Sequence, residues 1–236
     1  IGDGAFVGCT SLESITIPSS VTTIGESAFR DGENVTEVVI PMFVTEIKEY
    51  AFYGCEGLET LTFAPGSQLS KLGSVDSIAA LPLSGKYIFA NTTSLKKVIL
   101  PENLTTIGIS CFENSSVAEI TLPNTVASIG ARAFMNCDNI VDAGLSANLR
   151  YLGDEAYRDC ANLEKADLNF GLEYLGAQAF AYCVKLKNAY IPATVTQISG
   201  NPFLGCTGVE SFVLDADSVS FQVADGVLYD KTMYTL

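Results

Sequence analysis

The sequence predicts an α/β repeat solenoid of about nine 23-residue coils, with a parallel sheet on one face, short helical or 3-10 turns between, and a β-hairpin cap at the C-terminus. Three observations carry this expectation. The pentapeptides AFMNC, AYRDC, AFAYC and PFLGC begin at Ala133, Ala156, Ala179 and Pro202, a constant step of 23 residues. The aromatic of that phrase can be followed through the chain as Phe6, Phe29, Phe52, Phe89, Phe112, Phe134, Tyr157, Phe180 and Phe203, at steps of 23, 23, 37, 23, 22, 23, 23 and 23. The text between the marks is also shared: SLESITIPSSVTTIGESAF (11–29) recurs as SVAEITLPNTVASIGARAF (116–134) and KLKNAYIPATVTQISGNPF (185–203). One such unit cannot enclose its own apolar side chains, whereas stacked units bury them against one another.

Within a coil, L-x-x-I-x-I alternates at period two. It reads as a short strand with Ile15 and Ile17 turned inward and Ser14 and Thr16 outward. Proline follows at Pro18, Pro41, Pro101, Pro123 and Pro192, where its missing N–H ends the ladder without breaking a strand. Val21 and Ile24 suggest a second extended segment, closed by Gly25 and by glycine in most other coils. Lys48 and Ser199 share that glycine slot, so a positive φ is not obligatory there. The A-F-x-x-C phrase is too short for a free helix and reads as a single helical or 3-10 turn. Its aromatic and its cysteine are expected to form interior columns, because free cysteine behaves as a small buried hydrophobe. Gly32, Thr92 and Ser115 replace the cysteine in other coils, as small size at that slot would allow. Stacked, parallel Cβ vectors disfavour disulfides between coils.

The pattern divides the chain into a solenoid over 1–214 and a capping hairpin over 215–236. The long step from Phe52 to Phe89 holds 14 extra residues, an insertion within 64–88 that reads as a local brace or a contact loop. After Leu214 the period stops, and two alternating stretches flank Asp225-Gly226, a hairpin signal. The chain opens in mid-repeat with IGDGAF, which predicts that the natural protein extends further on that side.

The A-F-x-x-C, L-x-x-I-x-I-P and V-x-x-I-G elements resemble those of the BspA-like leucine-rich repeat family, found mainly on the surfaces of gut and oral anaerobic bacteria and in some protists. The resemblance spans Ile1 to about Leu214. It implies a leucine-rich repeat solenoid, an extracellular or cell-surface location, and adhesion to host or bacterial surface or matrix proteins. A G-V-L-Y segment like that at Gly226–Tyr229 often ends blocks of such repeats. One departure matters: three residues past the strand, where the better-known class carries Asn or Cys, this chain has Ser20, Phe43, Gly66 and Thr125 among others, so no continuous asparagine ladder is expected.

Composition narrows the function. With 27 acidic and 13 basic residues the net charge is −14, which repels nucleic acid and anionic membrane surfaces. No apolar run is long enough to span a membrane, so direct membrane insertion of this fragment is not expected. Histidine is absent, which removes the commonest general base and metal ligand. Seven cysteines without a CxxC pair offer neither a complete disulfide framework nor a zinc site. Asp215, Asp217 and Asp225 lack the spacing of a calcium loop. No catalytic residue, metal or cofactor is therefore expected. A carboxylate-pair hydrolase built on Asp142 and Asp167 is disfavoured, since a sheet face excludes no water.

The outward strand residues remain. In the first half they are mostly small and β-branched, but Asp142, Lys165, Asp167, Asn188 and Tyr190 gather charge, amide and phenol beside Gly144. They are the candidate binding residues of a non-enzymatic recognition module whose partner would be a surface or matrix protein, or a glycan. The competing reading is a passive structural spacer that displays another domain.

Overall fold

The structure, a computed structural model, describes residues 1–74, 86–224 and 227–231. The nine aromatic marks bound about eight full turns of a coil in which most turns contribute to three parallel ladders. The first is the expected long sheet: Glu37–Ile40, Thr60–Phe63, Lys97–Ile99 and Glu119–Thr121 pair in order, with Glu37, Thr60, Lys97 and Glu119 in register. Further along, Asp142 bridges Lys165 and Ala189–Ile191 pairs with Phe212–Leu214. In the first coil, Ser14–Ile17 forms no strand, although Ile17 is buried and Ser14 and Thr16 are exposed as the alternation requires. The second ladder is made of two-residue strands at the V-x-x-I-G segment. It joins Lys71–Leu72, Thr106–Ile107, Ser128–Ile129, Tyr151–Leu152, Tyr174–Leu175 and Gln197–Ile198 into one sheet.

The third ladder corrects the expectation of helical or 3-10 turns. Among the described residues there is no helix, and A-F-x-x-C lies instead in a run of overlapping β-turns facing the next coil. In the second coil Ala28 N–H donates to Gly25 O at 3.2 Å and Gly32 N–H to Phe29 O at 3.2 Å. The intervening amides of Ser27, Phe29 and Asp31 donate to Glu49, Ala51 and Tyr53 carbonyls of the following coil at 2.9, 2.8 and 2.8 Å. A helical turn would direct these N–H groups along the chain. Left-handed residues before and after the aromatic, Ser27 (φ 54°) and Asp31 (φ 59°) here, direct every second one sideways into the neighbour. The described residues thus form the expected parallel-sheet solenoid as a β-solenoid, without the helical turns.

The core runs down the axis. The nine aromatic rings form an unbroken stack with centroid spacings between 5.0 and 5.7 Å, from Phe6–Phe29 to Phe180–Phe203. Beside it, the cysteine column does more than fill space. The thiols of Cys55, Cys137, Cys160, Cys183 and Cys206 donate to the carbonyl of the aromatic one coil back, at 2.9 to 3.2 Å. All seven cysteines are free, and all but Cys9 are buried.

Where glycine closes the second ladder, the close approach of the neighbouring coil favours it, although Lys48 and Ser199 hold the slot in two coils. A Cβ on Gly153 would stand 2.5 Å from Ala131 N, and one on Gly176 2.4 Å from Asp154 N. Of the glycines in this slot only Gly73 has a positive φ. At the C-terminus Phe221–Ala224 and Val227–Asp230 pair antiparallel, with Phe221 and Leu228 joining the core. The tip residues 225–226 and most of the insertion, 75–85, lie outside the described residues, as does the choice between brace and contact loop.

Candidate functional site

The outer face of the long sheet carries the residues the sequence singles out, and the site begins where that sheet is interrupted. Among the described residues no backbone hydrogen bond joins Glu119–Thr121 to 142–144, although both neighbouring coil pairs are laddered. Local sequence explains the break. Asp142 Oδ1 accepts the Gly144 N–H at 2.9 Å, an Asx turn that takes this amide out of the sheet, and Gly144 adopts φ +54°. Inside, Ala143 stands where the earlier coils have Val98 and Ile120. The room it leaves is reached by Tyr157, whose buried phenol donates to Ala143 O at 3.4 Å.

Over this break lies a groove of about 860 Å³, with Ile99, Ile120, Pro123 and Val141 among its apolar lining and Lys97, Glu102, Glu119 and Asp142 at its rim. Ile99 and Val141 are about half exposed, at 51% and 53%.

The structure brings three of the five candidate residues together. Lys165 Nζ lies 3.0 Å from Asp167 Oδ2 and 3.2 Å from Asp142 Oδ2. Its ammonium is held charged above the usual lysine range, by Asp167 first and then Asp142. With a lysine between them, Asp142 and Asp167 form an ion-paired trio on open surface. Tyr190 stands apart. Its phenol donates to Asp215 Oδ2 at 2.6 Å, a bond that raises the tyrosine's pKa and lowers that of Asp215. Asn188 is exposed next to it.

Sequence reasoning passed over Phe170. It is 70% exposed, with its ring edge-on to Tyr190 at 6.2 Å. The available signal was a bulky aromatic in the turn after the strand, a slot where Ser19, Asn124 and Ala193 stand in other coils. It also passed over Ile99 and Val141 as walls of a groove, because a break in a ladder cannot be read from alternation alone.

The repeat model that matches this pattern is described as a BspA type leucine-rich repeat region, in six copies over residues 1–75 and 84–210. The chain belongs to the BspA-type leucine-rich repeat family. Similar solved structures include a leucine-rich repeat protein from Bacteroides ovatus, at 24% identity and a TM-score of 0.61 over 85% of this chain and 63% of that one. A leucine-rich repeat protein from Eubacterium ventriosum follows at 22% and 0.55, over 87% and 60%, and the pneumococcal vaccine antigen PcpA at 20% and 0.50, over 87% and 62%. What they share with this BspA-type chain is the solenoid fold, and it spans less than two thirds of each of them. A search of curated proteins finds no match. Among the described residues of this BspA-type chain no cluster of His, Cys, Asp and Glu could hold a metal, and no helix is long and apolar enough to cross a membrane.

Proposed function

We propose that the chain is a non-enzymatic recognition module of a bacterial surface protein, which binds a partner protein outside the cell through the outer face of its long sheet. The observation that carries this reading is the groove beside Asp142. A mostly apolar hollow edged by three carboxylates, Glu102, Glu119 and Asp142, against one lysine, Lys97, suits an aliphatic side chain flanked by polar groups of net positive charge. Asp142, Lys165, Asp167, Asn188 and Tyr190 extend the contact across the next coils, with Phe170 beside Tyr190 as a second apolar anchor. Membership of the BspA-type leucine-rich repeat family supports a binding module.

The test is binding of the protein to immobilised matrix proteins and to whole bacterial cells. Ile99→Glu with Val141→Glu should abolish capture, Tyr190→Ala should weaken it by roughly 1 to 2 kcal/mol, and Lys165→Ala should mainly change its salt dependence. Binding untouched by all of these changes would remove the sheet face from the account. No binding at all would leave the chain as a spacer.

A further inference from the structure

The groove over the broken ladder does not end at Glu102. A second hollow, of about 500 Å³, adjoins it past the strand ends and shares Leu100 and Glu102 with it. Together they make one trough that crosses four coils, from Val141 past Pro123 and Ile99 to Phe63 and Pro65. Three coil steps give it a length of about 14 Å, which about five extended residues span. The sequence builds its far wall. Thr62 is paired with Ile99 and Leu72 with Ile107, so ten positions of one coil run beside eight of the next. The two extra residues fall in a turn where Pro65 and Gly66 stand exposed over buried Ser67. Ser67 N–H donates to Ala64 O at 3.0 Å and Gln68 N–H to Met42 O at 2.8 Å, which fixes that turn in place.

The charges along the trough are unevenly compensated. Lys97 and Glu119 are register partners on adjacent strands, where opposite charges offset each other, and Asp142 is paired with Lys165. Glu102 is different. It is exposed at the saddle between the two hollows and is in no ion pair among the described residues, and no basic side chain lines the second hollow. Lys97 opens its strand, Lys97–Ile99, whereas Glu102 lies past the strand's end. The Thr125 hydroxyl holds the Glu102 backbone by donating to its carbonyl at 2.7 Å. On one side of this carboxylate the lining includes Ile99, Ile120 and Val141, on the other Phe63, Pro65 and Pro101.

An apolar stretch, an uncompensated negative charge and a second apolar stretch, in that order, select their occupant. Alternate side chains of an extended segment project to one side about 7 Å apart, so three of them match the three parts of the trough. A helix of the same length would have about nine residues, too few to hold that form in water. A second copy of this chain, at a net charge of −14, is a poor match for an acidic saddle. We propose that the trough receives an extended segment of the partner protein that carries aliphatic, basic and aliphatic side chains at alternate positions, with the basic one over Glu102. This occupant presupposes recognition through the sheet face and adds to it what the face reads.

The test titrates the protein with the capped peptide Ser-Ile-Thr-Arg-Thr-Ile-Ser, and with the same peptide carrying glutamate for arginine, followed by amide NMR shifts at millimolar concentration. The arginine peptide should bind and move the amides of Leu100, Glu102 and Val141, and the glutamate peptide should bind about tenfold more weakly or not at all. Glu102→Gln should weaken the arginine peptide about three- to fivefold, the size expected of an exposed ion pair, and Glu119→Gln should change it less. Both side chains are exposed, so neither change should disturb the fold. Failure of the arginine peptide to bind, equal affinity for the two peptides, or a Glu102→Gln variant that binds as the unaltered protein does would overturn the proposal. If, beside such a failure, capture of cells or matrix proteins is still abolished by Ile99→Glu with Val141→Glu, the sheet-face reading stands and only the basic segment falls. Capture that the double change leaves untouched would remove both.

Discussion

Replacing Phe134 with alanine removes one ring from the middle of the axial stack. Phe134 is fully buried, with Phe112 at 5.5 Å on one side and Tyr157 at 5.0 Å on the other. The backbone holds its place, since Phe134 N–H and C=O remain tied to Ala156 O and the Cys160 thiol at 2.8 and 3.1 Å. The coils therefore cannot collapse into the void, and the loss should fall at about 4 kcal/mol, within the range of about 3 to 5 for buried Phe→Ala changes. Two stacked contacts go with the ring. Phe6 supplies the internal control: it is 41% exposed and stacks on one neighbour only, Phe29, so Phe6→Ala should cost about 1 kcal/mol. Urea unfolding followed by circular dichroism measures both, with the midpoint shifting and the slope preserved. A loss below about 1 kcal/mol for Phe134→Ala, or equal losses for the two variants, would refute the stacked column as the main source of stability.

Thiol chemistry should divide the cysteines sharply. In the native protein an alkylating reagent should modify Cys9 alone, and in denaturant all seven, as mass spectrometry would count. Burial pushes the Cys55 and Cys137 thiols up to about 12, so stability should be fully present below the ordinary thiol value of 9.0 and decline as pH rises from there towards 12, where the unfolded chain alone releases these protons. Denaturation midpoints across that interval check the sign, and an increase would contradict it. Gly153→Ala should cost about 1 to 3 kcal/mol by forcing two coils apart, because the added methyl meets Ala131 N at 2.5 Å. Thermal melting of the variant measures it.

Much of this was legible in the sequence because the period is strict. The inward placement of Ile17, Phe134 and Cys137 follows from recurrence at 23 residues, and the structure buries all three. The turns were less legible, for a physical reason that the sequence does record. The slot two residues after each aromatic reads Gly8, Asp31, Gly54, Asn91, Asn114, Asn136, Asp159, Tyr182 and Gly205, and all nine have positive φ. Glycine, asparagine and aspartate are the residues that tolerate the left-handed region, so the column itself argues against a helical turn. The small residues in the cysteine slot are buried as expected, with one feature that size does not record. Thr92 donates to Phe89 O of its own coil at 2.8 Å and Ser115 meets Cys137 Sγ at 3.4 Å, so two of the three replacements also hydrogen-bond, while Gly32 shares only small size with cysteine. At the site, the outward direction of Asp142, Lys165, Asp167 and Asn188 followed from alternation. That Lys165 would be shared by two aspartates, and Tyr190 taken by Asp215, depends on rotamers and on a residue 25 positions away, which alternation does not encode.

The most direct measurement of the central claim is hydrogen–deuterium exchange on the protein, free and in complex with the partner captured from cells or matrix. Recognition through the sheet predicts that amides of Lys97–Leu100, Glu119–Thr121 and Val141–Gly144 gain protection together in the complex, since these segments line the groove. Protection confined to the turn face or the C-terminal pair, with these three segments unchanged, would contradict it.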